Sequence, residues 1–403
     1  MQSLEATYVE KFKCDGKACD AQCCRKWAID IDDKTMSKYK HIKPAANAKE
    51  IVKHIKKKKM LGKNPKNIVQ LTKDRTCPFL GEDLLCKIQK TYGADYLSLT
   101  CSTYPRHHMK ISDDLMLRSL SLTCPVACHL VLNHERPIKF HAIDIHNLNS
   151  NLQDYSSVPK IEMMPLFSMT SANILHAQNL SIDERLALLI LFAESAQEAK
   201  NLEDLAKISE SFEKAVIPAA KELFEPLKFN PRNFLKELFD FTNALFKGAG
   251  AKAEVRLYNK FINDTFELMP IYSDERTIDL DKIESLYHER FLPAKKVLLK
   301  DYSLQVENYL LHQFLLSGLP FACTIPHFTG AIAKFILEYK IAEFTFVCFL
   351  NCLKDKFHEV GIELAAGDFT NAFEHNITVH HAIDDRFMKE KEAMPIIQLF
   401  LDV

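Results

Sequence analysis

Glycine is scarce in this chain, with 10 in 403 residues. Strand-rich folds and glycine-loop nucleotide folds both draw more heavily on it, so the scarcity favours helices. Long apolar runs are missing too. The longest, such as LALLILFA at 186–193, fall well short of the roughly 18–20 residues of a membrane span. The opening stretch MQSLEATYVEKFKC has no apolar segment of the secretory kind. These absences together predict a cytoplasmic protein with no membrane association. Tryptophan occurs once, as Trp27.

Cysteine, by contrast, is plentiful and unevenly placed. Nine of the 12 (14, 19, 23, 24, 77, 86, 101, 124 and 128) lie in the first 130 residues. A net charge of −1 conceals a matching asymmetry, because residues 1–130 hold 24 Lys and Arg against 14 Asp and Glu, and the remainder holds 28 against 39. Two modules are expected, at 1–135 and 136–403. The fold class is mainly α: a small, irregular, cysteine-rich metal-binding module with short β elements, followed by a larger all-helical domain.

In the first module KWAIDID (26–32) alternates like a brief strand, and DDKTMSKYKHI starts a helix. KEIVKHIKKKKMLGKNPKN (49–67) reads as a basic helix ending in a loop, solvated and set between two cysteine groups. CPFLGEDLLC (77–86) predicts a tight hairpin with Gly81-Glu82-Asp83 at its tip, and MLRSLSL (116–122) a second strand. Beyond residue 160 the period becomes helical. Ser181 and Glu184 have capping-box spacing, Pro231 suits a first helical turn, and Gly248 suits a helix stop. Helical patterns follow at 252–268, 279–292, 302–317 and 330–355, with no fixed-period repeat.

A reducing compartment disfavours disulfides, so clustered thiols point to metal binding or catalysis. The spacings are C-x4-C-x3-C-C, then C-x8-C, then Cys101, then C-x3-C at 124–128. Structural zinc usually shows paired C-x2-4-C knuckles, which these match poorly. Iron–sulfur clusters take thiolates from separated segments. Adjacent cysteines such as Cys23-Cys24 send their side chains in different directions, which favours two roles or a larger cluster. Spacing alone leaves zinc and iron–sulfur both open, beside a non-catalytic metal-binding scaffold.

The order of residues is itself informative. Phe12-Lys13-Cys14, Cys19, Cys23-Cys24, Trp27 and Ile31-Asp32 are followed by Cys77-Pro78-Phe79-Leu80, Cys86, Ile88-Gln89 and Tyr92-Gly93. Cys101, Thr103-Tyr104-Pro105-Arg106 and Cys124-Pro125 complete the series. It resembles the flagellin lysine-N-methylase family, with an N-terminal region similar to a wider group of cysteine-rich zinc- or iron-chelating domains. Glu307-Asn308-Tyr309, Leu319-Pro320-Phe321 and Phe373-Glu374-His375-Asn376 extend the resemblance into the helical part. It implies a methyltransferase that moves methyl groups from S-adenosylmethionine to flagellin lysines with a [4Fe–4S] cluster. Cys14, Cys19, Cys23, Cys24, Cys77, Cys86, Cys101 and Cys124 then occupy the family's cysteine positions, and Cys128 falls outside them.

No standard cofactor signature accompanies this. Gly248-Ala249-Gly250 follows a helix and not a strand, and Cys19-x3-Cys23 is followed by Cys24 where a radical enzyme would have residue 26. Methyl transfer needs a neutral lysine, whose free pKa is near 10.4, so a base or desolvation is required. Tyr104 and Asp32 are the candidate catalytic groups. Arg106, able to grip a carboxylate, and Trp27, an apolar lid over the cysteine loop, are the candidate cofactor-binding residues. His107-His108 continues the 101–106 loop, while His375, His380 and His381 read as solvated. The eleven lysines of 38–66 lack aromatic interleaving, so nucleic acid is not expected and an acidic protein face is the alternative to a solvated one.

Overall fold

A side chain that caps one helix sets the first turns of the cysteine-rich part. Asp32 accepts hydrogen bonds from the Thr35 backbone N–H and hydroxyl at 2.9 Å each, starting the Asp33–Lys40 helix. The computed structural model describes residues 2–14, 19, 21–25, 29–60, 63–135, 138, 140–144, 152–154, 161–224, 227, 229–239, 253–267, 279–316, 318–319, 327–373 and 377–402. Among the described residues eight strands are formed: β1 (Gln2–Ala6), β2 (Asp30–Ile31), β3 (Ile55–Met60), β4 (Lys63–Val69), β5 (Arg106–Lys110), β6 (Leu115–Leu120), β7 (Phe140–Asp144) and β8 (Leu152–Asp154).

They make two sheets. The larger is mixed, ordered β7-β1-β6-β5-β8, with β1 parallel to β6 and β5 parallel to β8. The smaller is antiparallel, ordered β2-β4-β3. The basic helix expected over 49–67 is corrected here. A helix covers only Ala45–Val52, and IKKKKM becomes edge strand β3, paired with β4. Ile55 and Val69 face each other and are both buried, so long-range pairing overrides local helix preference. Lysine is well suited to an edge strand because it discourages further pairing.

The chain divides into two compact units. One comprises Met1–Leu130 with Lys139–Asp154, and the other Val131–Ile138 with Tyr155–Val403. The expected single boundary after residue 135 differs from this division. Residues 140–144 return to pair with β1, and residues 152–154 to pair with β5. Residues 131–134 stay with the helical unit, where Asn308 donates from Nδ2 to the carbonyls of Leu132 (3.0 Å) and His134 (2.8 Å).

The helical unit is built around Phe328–Leu353, 26 residues long and buried over most of its length, as a helix enclosed by others must be. The helices Ile182–Gln197, Ala253–Phe266, Leu292–Asp301 and Asp355–Phe373 pack against it. Ser181 and Glu184 form the predicted capping box. Inside the unit, Lys340 donates to Asp183 (2.9 Å) and Glu343 (2.7 Å), and Lys295 lies 3.3 Å from Asp183. The four charges balance, which makes their burial tolerable. Of the family-like triplet, Glu307 pairs with buried Arg185 at 3.2 Å and Tyr309 packs edge-on to Phe346, so both support the helical core. Among the described residues, no helix is long and apolar enough to cross a membrane.

Candidate functional site

The cysteines of the first unit sit on four short loops. Cys23 and Cys24 lie on a single turn of 3-10 helix, Gln22–Cys24, with their sulfurs 4.0 Å apart. The expected divergence of these neighbours is therefore corrected, because the tight turn brings both side chains to one side. The Cys77 N–H donates to the Cys24 carbonyl at 2.7 Å, tying this turn to the second loop. Leu80 bridges to Cys86 across the predicted tight loop, where the Gly81 N–H meets the Leu85 carbonyl at 2.8 Å. Cys24, Cys86 and Cys101 pack on an apolar cluster that includes Ile29, Ile31, Tyr39, Cys77, Phe79 and Ile88.

Backbone N–H groups turn toward several of these sulfurs. Cys77 receives them from Phe79 and Leu80, Cys86 from Ile88 and Gln89, and Cys124 from Val126 and Ala127. Cys86 and Cys124 immediately precede the helices Lys87–Tyr92 and Pro125–Leu132, so each thiol lies at the positive end of a helix. Cys101 lies in Leu99–Thr103, a turn started by Ser98, whose hydroxyl faces the Cys101 sulfur. Sequence analysis missed these N–H donors, although Cys-Pro at 77–78 and 124–125 was their signal. At both, the N–H groups of the two residues after the proline turn back on the sulfur, as those of Ile88 and Gln89 do at Cys86 without one.

The protonation pattern shows how closely the thiols interact. The Cys24 thiol hydrogen-bonds toward Cys23 and Cys77, which lowers Cys23 to about 7, lowers Cys77 as well, and raises Cys24. Burial pushes Cys86 up and Cys101 up to about 12, each helped by repulsion from Cys77 and Cys23. Burial also raises Cys124 to about 11, with further repulsion from Cys19 and Cys23. Exposed Cys14 lies within electrostatic reach of Arg106. Crowded sulfurs sharing one proton are a setting in which a metal cation displaces that proton with gain. The fold thus gathers Cys23, Cys24, Cys77, Cys86 and Cys101 into one centre; Cys124 adjoins it through Cys23, and Cys19 lies near Cys124.

A tetrahedral zinc with Zn–S near 2.3 Å holds its sulfurs roughly 3.8 Å apart. Among the described residues, no three cysteine sulfurs all lie within 4.8 Å of one another. The thiols come from separated segments of the chain, a donor arrangement that iron–sulfur clusters accept.

The other candidates have different surroundings. Asp32 accepts a third hydrogen bond, from the Leu99 N–H at 2.8 Å, and so braces the Cys101 turn. Burial alone would raise its carboxyl, but donation from Leu99 and Thr35 holds it below the ordinary carboxylate range. Three accepted hydrogen bonds give this carboxylate, the candidate base of the sequence, a structural role as well. The Tyr104 hydroxyl hydrogen-bonds Thr123 at 2.9 Å, and Thr123 hydrogen-bonds Ser121 at 2.7 Å. Arg106 opens β5, donates to the Phe12 carbonyl at 3.3 Å and stacks 4.9 Å from the Phe12 ring. His108 is buried, and burial with Arg118 nearby lowers it to about 4. His380, in the helical unit, pairs with Glu338 at 3.5 Å. Trp27 and His375 lie outside the described residues.

Residues 169–399 match the family described as FliB lysine N-methylase C-terminal domain. Two proteins named Lysine-N-methylase, from Salmonella choleraesuis and Salmonella typhimurium, are 31% and 30% identical over 203 residues. Those matches cover 50% of this chain and 49% of each relative, so the chain spans about half the length of the curated relatives it matches. A Salmonella muenchen protein named Flagellar biosynthetic protein FliU is 37% identical over 129 residues, 32% of this chain and 76% of that protein. No solved structure matches.

Proposed function

The chain belongs to the FliB lysine N-methylase family, and we propose that it transfers methyl groups from S-adenosylmethionine to lysine side chains of flagellin, in the cytoplasm, with a [4Fe–4S] cluster held by cysteines of the first unit. The observation that carries this reading is the convergence of Cys23, Cys24, Cys77, Cys86 and Cys101 on one centre, with backbone N–H groups turned to Cys77 and Cys86. Such donors stabilise thiolate and tune the metal it holds. A bound cluster would supply an iron that the amino and carboxylate groups of the methyl donor can chelate. We place its ligands among Cys14, Cys19, Cys23, Cys24, Cys77, Cys86, Cys101 and Cys124.

The chain's own residues account for the remaining demands. Arg106, half-buried and held flat by Phe12, offers guanidinium N–H groups for the donor's carboxylate. Tyr104 relays the proton that leaves the lysine ammonium to solvent water, its oxygen taking that proton as its own passes on, while hydrogen bonds with Thr123 and Ser121 hold the hydroxyl in place. Orientation of the amine along the sulfur–methyl axis supplies the entropic part of the acceleration. The test is transfer of label from methyl-labelled S-adenosylmethionine to flagellin lysines by anaerobic, cluster-reconstituted protein. Absence of label under those conditions, with cluster content verified, overturns the proposal.

A second reading is favoured by the Cys23–Cys24 sulfur spacing of 4.0 Å, close to that of two ligands on one zinc. It makes the first unit a zinc-binding scaffold without catalysis. Colourless protein with stoichiometric zinc after anaerobic purification selects this reading, and a brown protein with broad visible absorption selects the cluster.

A further inference from the structure

On the larger sheet, one row of side chains runs across three strands. Glu5 of β1 is the register partner of His141 on β7 and of Arg118 on β6. Its side chain is fully buried, yet neither carboxylate oxygen makes a hydrogen bond. The Arg118 Nη1 approaches Oε2 at 3.0 Å, which leaves Oε1 turned to the other side, 3.7 Å from His141 Nε2. Glu10, on the helix that follows β1, brings its Oε1 to 3.1 Å from the same nitrogen. His141 Nε2 is itself buried and hydrogen-bonded to neither carboxylate. Three donor atoms therefore face a common space, all within 4.8 Å of one another, and among the described residues no other group of three metal-ligating side chains is so close.

We propose that Glu5, Glu10 and His141 form a site for a divalent first-row transition cation, separate from the cysteine centre. Two carboxylate oxygens and one imidazole nitrogen are the donor set of Mn2+, Fe2+ or Zn2+ and not of a soft, thiolate-seeking ion. Burying an unpaired carboxylate is costly, and Arg118 offsets only one oxygen of Glu5, so a cation at Oε1 completes the compensation. Arg118 then acts as an outer partner that fixes the Glu5 orientation. Glu10 is about half exposed and His141 partly so, which leaves an open path for the ion and room for water to fill the remaining coordination positions.

Mn2+ is the discriminating probe, because it prefers oxygen and nitrogen and leaves thiols alone. Full-length protein is titrated with Mn2+ and the free ion is followed by electron paramagnetic resonance. One Mn2+ per chain is expected, with affinity weakened at least about tenfold in Glu10→Gln and in His141→Ala, since even an outer-shell loss has that effect. Glu10 is exposed enough that Glu10→Gln keeps the fold, checked by near-ultraviolet circular dichroism, so the change in affinity is read on that variant. Binding must persist in Cys23→Ala. No binding by the wild type, unchanged affinity in Glu10→Gln, or loss of the ion in Cys23→Ala overturns the site.

Discussion

The backbone N–H of Cys77 donates to the carbonyl oxygen of Cys24 at 2.7 Å, and the Cys24 thiol reaches toward the Cys77 sulfur. Between these two residues the chain makes β2, two helices and the basic hairpin β3–β4. One main-chain bond thus closes a long excursion and sets two thiols side by side. The centre exists because of this closure, and it is where perturbation has the clearest consequences.

Cys77→Ala is expected to abolish metal loading, since it removes a buried sulfur that both takes two N–H donors and shares the Cys24 proton. Cys348→Ala, in the core of the long helix of the second unit, is expected to leave metal content unchanged. Metal analysis of anaerobically purified protein checks both, and equal loss in the two variants contradicts the assignment.

Asp32→Ala separates a structural carboxylate from a catalytic one. The helix cap and the Leu99 brace disappear together, so stability falls by about 1–2 kcal/mol and metal content falls with it as the Cys101 turn loosens. Denaturant titration and iron analysis read these changes. A variant with full stability and full metal but no activity makes Asp32 a base.

Tyr104→Phe keeps the ring and removes the hydroxyl. Loss of a positioned proton-transfer group is expected to lower kcat by about 100-fold or more with cluster content intact. Arg106→Met is expected instead to raise the KM for S-adenosylmethionine about 10- to 100-fold, the scale of a lost charged hydrogen bond. Anaerobic steady-state kinetics separate the two effects, and a KM change in the tyrosine variant alone reverses the roles.

Acid should weaken the helical unit through Asp183. Burial opposes its charge, but Lys295 and Lys340 bring the carboxyl down to about 2. The unfolded value is near 3.9, so the native state binds fewer protons. The resulting stability, about 2–3 kcal/mol, is present above the unfolded value and lost as pH falls through about 4 toward 2. Denaturation of Asp183→Asn should show a flatter profile across that range. Lys340→Met, which leaves Asp183 and Glu343 to share Lys295 alone, should destabilise by about 3–5 kcal/mol at neutral pH.

Particular residues show where sequence sufficed. The helical half was legible because Ser181, Glu184 and the apolar period of 330–355 act over a few positions, and local spacing fixes local geometry. The order of eight cysteines, and the tight loop at 77–86, were likewise written in neighbouring residues. The run IKKKKM was misread because its strand partner lies beyond a turn, and the pairing energy of Ile55 with Val69 appears only once the hairpin closes.

Sequence by itself thus determined which donor atoms the protein owns and how its helices begin. Tertiary structure alone decided which donors meet. It turned adjacent Cys23 and Cys24 to one side, aimed the N–H groups of Ile88 and Gln89 at the Cys86 sulfur, and set Glu5 between Arg118 and His141. The reason is physical: sheet register and main-chain closure act between residues far apart in the chain, and no local pattern encodes the distance at which two such residues come to rest.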